Sequence, residues 1–332
     1  MRRREFVSAL GLTTAAVLTA LRAGPAEAEP PPETPRLRLL QTTAICQAPQ
    51  YVAEQLLRAE GFTDIRYIPK QGPQAIADAL ASGEADVNLH FSGPLILRID
   101  QGAPIVVLAG VHPGCYELFG TERVRRISDL KGKSIGIRGL GGPEHVFLAS
   151  MLAYVGLDPR HDVRWEAHDT EESIARLAAG RIDAFLGFPP DPQELRARKI
   201  GHVVVNSNVD RPWSQYYCCM LAGHREFVRK HPVATKRALR AILKASAVCA
   251  TEPERAARVL VDGRYTARYD WAVQAIQEIS YSRWRDYDAE DTIRFYALRL
   301  RESGMIKSNP TTLIAEGTDW RFIDELKREL KG

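Results

Sequence analysis

Four short segments combine small hydroxyls, glycine, proline and a few polar or aromatic side chains in a way that suits holding a ligand rather than transforming it. Thr42-Thr43-Ala44-Ile45-Cys46-Gln47-Ala48-Pro49 offers two hydroxyls and a thiol ahead of a proline that fits a first helical turn. His90-Phe91-Ser92-Gly93-Pro94 sets an imidazole, a ring and a capping hydroxyl before another such proline. Arg138-Gly139-Leu140-Gly141-Gly142-Pro143-Glu144-His145 joins a guanidinium to three glycines, which let the backbone come close to a ligand. Gly187-Phe188-Pro189-Pro190-Asp191-Pro192 is stiff and aromatic. Trp213, after Pro212 in a loop-like stretch, joins Phe91, Phe188, Tyr216 and Tyr217 as a candidate for an aromatic wall, with core packing as the alternative for each. The candidate ligand-binding set is Thr42, Thr43, Cys46, His90, Ser92, Gly93, Arg138, Gly139, Gly141, Gly142, Phe188, Pro189 and Trp213. The expected ligand is small, with an anionic or strongly accepting head bound by backbone N–H groups at a helix N-terminus.

Catalytic chemistries fail on context. Gly132-Lys133-Ser134 imitates the end of a P-loop, but Ile127 stands where the first glycine belongs and the segment precedes a strand. Gly139-x-Gly141 lacks the third glycine of a dinucleotide fingerprint, and no G-x-S-x-G elbow occurs. Glu171-Glu172 sits at a helix start, where the dipole accounts for it. His112-x-x-Cys115 with His90 is the one combination resembling a metal cluster, without H-E-x-x-H or C-x-x-C. Cys218 and Cys219 are neighbours in a strand and should point to opposite faces, a poor chelate. No catalytic residue, metal or cofactor is assigned.

The elements that must position these loops follow from periodicity. From Arg36 to Gly110 short apolar runs alternate with helical spacings in a βαβαβαβ pattern, and the alternation resumes between Ser134 and Val205. From Pro232 the pattern becomes helical, beginning with a long stretch from Val233 to Ala250. Ligand loops at the carboxyl ends of strands in two successive α/β units make a cleft.

Residues 2–28 read as an export address. Arg3-Arg4-Glu5-Phe6-Val7 is followed by an uncharged apolar run from Ala9 to Leu21 and by Ala26-Glu27-Ala28, a small-x-small cleavage pattern. The run is too short to span a membrane, which takes roughly 20 apolar residues. Pro-rich residues 29–35 should be an extended or disordered linker. The leader takes four arginines and two glutamates with it, lowering the net charge from +4 to +2, which argues against a nucleic-acid partner. The five cysteines are odd in number and irregularly spaced, so a disulfide scaffold is not indicated; buried thiols or one optional bridge remain.

Several stretches together resemble the nitrate/sulfonate/taurine-type periplasmic solute-binding proteins of ABC transporters, whose fold is shared with thiamine-pyrimidine synthases. They are Gln74 to Asp86, Gly102-Ala103-Pro104-Ile105-Val106-Val107, Ile127 to Ile137 with its D-L-K-G-K core, Ala178 to Ala184, and Phe227 to Pro232. The resemblance implies an α/β, two-lobed type II binding-protein fold with mixed sheets, two crossovers, and delivery of the ligand to permease subunits in the inner membrane. It implies a periplasmic monomer without enzymatic activity. On this reading residues 36–120 plus 220–332 form one lobe and 121–219 the other. An enzyme on the same fold, related to the pyrimidine synthase, and a periplasmic sensor are the alternatives. The Cys-rich Tyr216-Tyr217-Cys218-Cys219-Met220 and His112-Pro113-Gly114-Cys115 depart from the family pattern. If Arg3-Arg4 select a route for folded cargo, replacing both by Lys should leave uncleaved precursor in the cytoplasm. Normal periplasmic yield on cell fractionation would overturn that assignment.

Overall fold

The computed structural model describes residues 29–72 and 74–330, so the leader assigned to residues 1–28 lies outside them. Pro31 onward forms one unit. Its strands are β1 (Arg36–Gln41), β2 (Asp64–Pro69), β3 (Val87–Phe91), β4 (Ile105–Pro113), β5 (Glu117–Gly120), β6 (Ser134–Ile137), β7 (Arg164–Ala167), β8 (Ala184–Gly187), β9 (His202–Asn206) and β10 (Tyr217–His224). Between them lie α1 (Ala48–Val52), α2 (Glu54–Ala59), α3 (Ala75–Ala81), α4 (Ser92–Asp100), α5 (Pro143–Tyr154), α6 (Thr170–Ala178) and α7 (Asp191–Arg198). After β10 come α8 (Arg225–Lys230), α9 (Pro232–Thr251), α10 (Pro253–Asp262), α11 (Tyr269–Glu278), α12 (Ala289–Glu302), α13 (Pro310–Gly317) and α14 (Arg321–Glu329).

Three sheets result. β1 and β2 pair in parallel; β10 runs antiparallel between β3 and β4; and the third sheet has the order β7-β6-β8-β5-β9. In the last, β6 is parallel to β7 and β8, while β5 is antiparallel to β8 and β9. β3 and β4 are buried along their whole length, as strands covered on both faces must be. Among the described residues no backbone ladder joins β1 to β3; besides the bond from the Asp86 N–H to the Arg38 carbonyl at 2.9 Å, side chains bridge them. The Leu40 N–H donates to Asn88 Oδ1 at 2.8 Å. The Gln50 amide donates to the Leu40 carbonyl and accepts from the Leu89 N–H, each at 2.8 Å. Because Gln50 and Asn88 are fully buried, these bonds satisfy groups that would otherwise be costly to bury.

The strand pairing bears on the division read from the sequence at Gly120/Thr121 and Cys219/Met220. Glu117–Gly120 is hydrogen-bonded into the five-stranded sheet, and Tyr217–Cys219 begins the central strand of the three-stranded one. The expectation of a free linker also changes. The Glu33 carboxylate accepts the N–H groups of Val233 and Ala234 at 2.9 and 2.8 Å, in the first turn of α9. The Pro35 carbonyl accepts from Thr63 and Asp64. A carboxylate at a helix N-terminus gains from both the bare N–H groups and the dipole.

The C-terminal helices close over this frame. α9 packs on α1 and α2, α13 and α14 reach β4, and α12 lies against both α4 and α5. Arg196 on α7 pairs with the buried Glu117 of β5 and with Glu278 of α11 at 2.7 Å. Where α4 meets α5, a Cβ at Gly93 would lie 2.8 Å from Val146 Cγ1. Gly93 is thus required by helix packing, in place of the ligand role expected for it. Gly93→Val should cost roughly 1–3 kcal/mol of stability through overpacking. Urea unfolding checks this, and an unchanged midpoint would show that α4 and α5 have room to separate.

Candidate ligand-binding cleft

A cleft of about 600 Å³ opens where the carboxyl ends of strands from different sheets face one another. On one side lie Gln41–Ala44 and Gln47 after β1, Pro69–Gly72 after β2, Ile76 of α3, and His90-Phe91 at the end of β3. On the other lie Arg138, Pro143 and Glu144 after β6, Asp169-Thr170 after β7, and Phe188 after β8. This is the position that open α/β sheets offer to ligands.

The two sides meet through aromatic rings. Phe91 and Phe188 have centroids 4.9 Å apart, and Tyr116 lies 5.2 Å from Phe91. His90 is buried, yet neither ring nitrogen has a protein partner. Burial lowers its pKa to about 4, so near neutral pH the ring is uncharged, with one donor and one acceptor unspent. Such a group facing a cleft is suited to a polar ligand edge.

The cations of the cleft are already engaged. The Arg138 guanidinium pairs with the fully buried Glu144, meets Asp191 at 2.5 Å, donates through Nε to Thr170 Oγ1 at 2.8 Å, and stacks 4.4 Å from the Phe188 ring. Burial raises the Asp191 pKa against the opposing pull of Arg138. Lys70 pairs with Glu84 at 2.5 Å. Thr42 Oγ1 donates to Gln47 and accepts from the Ala44 N–H, leaving the exposed Thr43 hydroxyl as the freer of the two. Asp169 caps α6 through the Glu172 N–H at 2.8 Å. Among the described residues lining the cleft, Lys70 and Arg138 each have a carboxylate partner.

Thr42, Thr43, His90, Arg138 and Phe188 are therefore brought together, whereas eight other candidates line no part of this cleft. The Ser92 hydroxyl donates to the carbonyls of Tyr217 and Cys218 at 2.6 and 3.1 Å. Gly93 packs on Val146, as described. Gly139 accepts from the Gly142 N–H within its own turn, and Gly142 caps α5. Gly141 has φ +74°, its N–H donates to His145 Nδ1 at 3.0 Å, and an added Cβ would meet the Gln74 amide at 2.7 Å. The close approach that its sequence suggested is made by a side chain of the protein itself. The Pro189 carbonyl accepts the Ile45 N–H at 3.2 Å. Trp213, expected in an exposed loop, is 2 % exposed and packs edge-on against Phe147, Tyr154 and Phe295.

Cys46, the last of the eight, belongs to a buried thiol cluster. The sulfurs of Cys46, Cys115 and Cys219 lie within 4.8 Å of one another, and Cys115 and Cys218 touch at 2.7 Å. The expectation that Cys218 and Cys219 face apart fails because β10 bulges between them. Tyr217 pairs with Pro113 and Cys219 with His112, so two residues advance on β10 against one on β4. The bulge also explains Ser92, which satisfies the displaced carbonyls. His112 Nδ1 lies 3.2 Å from the Pro113 carbonyl and Nε2 lies 3.0 Å from that of Cys46. Two acceptors call for a proton on both nitrogens. Burial opposes that charge, but Cys219 beside it raises the His112 pKa. Burial likewise pushes the Cys219 thiol up, and hydrogen bonds from Cys115, Cys218 and Cys46 with the His112 charge bring it well down.

The sequence reading missed Lys70-Gln71 and Asp169-Thr170, and included Glu144 in the third loop without giving it a role. Lys70-Gln71 and Asp169-Thr170 lie just past the ends of β2 and β7, so the rule applied to the other loops, extended to every strand end, reaches them. Glu144 offers no signal of its own role there, because an acid in a first helical turn is ordinary.

A family model described as "NMT1/THI5 like" matches residues 47–256. The nitrate/nitrite binding protein NrtA of Nostoc sp. is 22% identical over 323 residues, covering 89% of this chain and 72% of that protein. The nitrate import ATP-binding protein NrtC of Synechocystis sp. is 22% identical over 83% of this chain, which spans only 45% of that relative. The crystal structure of the periplasmic nitrate-binding protein NrtA from Synechocystis superposes with a TM-score of 0.73 at 15% identity, covering 91% of this chain and 90% of that one. The fold is accordingly the two-lobed periplasmic binding-protein fold.

The buried histidines give this unit a pH signature. The folded pKa of His90, about 4, lies below the ordinary value of 6.5, so between them the unfolded chain binds more protons and stability falls as pH falls. His145, also lowered to about 4 by burial, acts in the same direction over the same window. His90 and His145 should lower the urea midpoint between about pH 7 and about pH 4.5, against the opposite contribution of His112, and His90→Gln should make the drop smaller. An identical slope in the variant would mean that His90 is not held neutral.

Proposed function

This chain belongs to the NMT1/THI5-like family, and on that premise we propose that it is the extracytoplasmic solute-binding component of an ABC importer, delivering its ligand to membrane permease subunits. Among the described residues no helix is long and apolar enough to cross a membrane. The observation that carries the reading is the cleft between strand ends of separate sheets, where Phe91 and Phe188 meet and the buried His90 keeps both nitrogens unspent. We place one lobe at residues 31–113 with 217–330 and the other at 117–206, joined by the crossings 114–116 and 207–216. Ligand bound by both lobes favours the closed form by its differential affinity for it.

The charge pattern favours a neutral or weakly basic molecule with a flat unsaturated body and a hydrogen-bonding edge. The rings of Phe91 and Phe188 suit the body, and His90 and the Thr43 hydroxyl suit the edge. A small anion would have to draw Arg138 from two carboxylates, leaving Glu144 buried and unpaired, at a cost of several kcal/mol. Thermal shift against nitrate, short alkanesulfonates and neutral heteroaromatic amides should give stabilisation by the last group alone. Phe188→Ala and His90→Ala should each weaken that binding at least about tenfold, or about 1.4 kcal/mol, by calorimetry. Stabilisation by nitrate or a sulfonate at micromolar concentration would sink the ligand assignment. Conversion of the bound molecule to a product would sink the transport reading.

A further inference from the structure

Chain connectivity brings four cysteines from three distant segments into one dry cluster: Cys46 before α1, Cys115 in the crossing from β4 to β5, and Cys218 and Cys219 at the start of β10. We propose that Cys115 and Cys218 form a disulfide that ties the outgoing crossing between the sheets to the strand that returns from it, with Cys46 and Cys219 left as thiols. The pairing is set by proximity. The Cys115 and Cys218 sulfurs are 2.7 Å apart, closer than two unbonded sulfurs normally rest, while those of Cys46, Cys115 and Cys219 lie within 4.8 Å of one another. The local backbone is shaped for the contact. Cys115 holds a positive φ of 142°, which few non-glycine residues adopt, and Cys218 occupies the bulge of β10, its carbonyl held by Ser92.

The balance of the step is simple. The Cys218 thiolate attacks an external disulfide of the oxidised-glutathione class, giving a mixed disulfide and one released thiol. The Cys115 thiolate then displaces the second thiol from Cys218. One S–S bond forms and one is broken; both protons leave on the two released thiols, and the external disulfide is reduced. The folded cluster is shielded, with Cys115 1 % and Cys218 3 % exposed, so exchange takes place during folding or local opening and the finished bond resists reductant. The bond would close a loop of about one hundred residues, a span for which cross-linking restricts the unfolded chain strongly.

The test is peptide mapping of the purified chain after equilibration with oxidised glutathione, with alkylation in denaturant and no reductant. The expected result is one linked peptide joining Cys115 to Cys218, with Cys46, Cys219 and Cys249 alkylated. Reduction in mild denaturant should lower Tm by roughly 5 °C or more. The Cys115→Ser/Cys218→Ser double variant, checked for fold by circular dichroism, should melt at the reduced temperature whether or not reductant is present. Five alkylated cysteines would overturn the proposal, as would a linkage between any other pair, or a bound metal with every thiol reduced. Should the double variant fail to fold, the wild-type map decides alone.

Discussion

The return of the chain into the middle of its first sheet is the constraint on which the rest depends. β4 leaves that sheet for the five-stranded one, and β10 comes back between β3 and β4, antiparallel to both. A central strand must satisfy two ladders at once, so its register cannot slip without exposing an apolar face. Where the second ladder cannot be kept regular, β10 bulges, and Ser92 at the head of α4 takes up the carbonyls that the bulge frees. The end of β3 is held in place by the same device. His90 and Phe91, which face the cleft, are paired with Met220 and Cys219 on the returning strand.

The interior around that strand has an unusual polar content. Burial opposes a charge on His112, while Cys219 beside it and the Pro113 and Cys46 carbonyls raise its pKa within the same dry volume. Tyr281 adds a hydroxyl donor to the Cys46 carbonyl at 3.1 Å, which ties a residue beyond α11 to the segment before α1. The C-terminal helices are thus joined to the sheet core by directed bonds as well as by apolar packing.

In the cleft, a similar balance of charges governs chemistry. Arg138 is drawn by Glu144, Asp191 and Thr170 into one orientation over Phe188. Held in this way the guanidinium stiffens the wall rather than offering a free charge. The unspent hydrogen-bonding capacity lies with His90, whose burial keeps it neutral. A site of this kind selects by shape and hydrogen-bond direction more than by net charge.

The alternation of periods from Arg36 to Val205 and the helical pattern after Pro232 determined the α/β class and the all-helical end, because side-chain period and burial are local properties of the chain. The strand-end rule placed Thr42, Thr43, His90, Arg138 and Phe188 at the cleft for the same reason: each lies at or just past the end of a strand whose direction is fixed. The fates of the other candidates were decided only by the tertiary structure. Gly93 and Gly141 both stood in sequence as candidate ligand positions, but what approaches them is Val146 and Gln74. Trp213 follows a proline as an exposed loop residue would, and is buried because α5 and α12 converge on it. Cys218 and Cys219 alternate by the rule of a regular strand, and a bulge required by a partner about a hundred residues away turns both toward Cys115. Long-range contacts carry no local period, so only the folded arrangement could tell a ligand's contact from one the protein makes with itself.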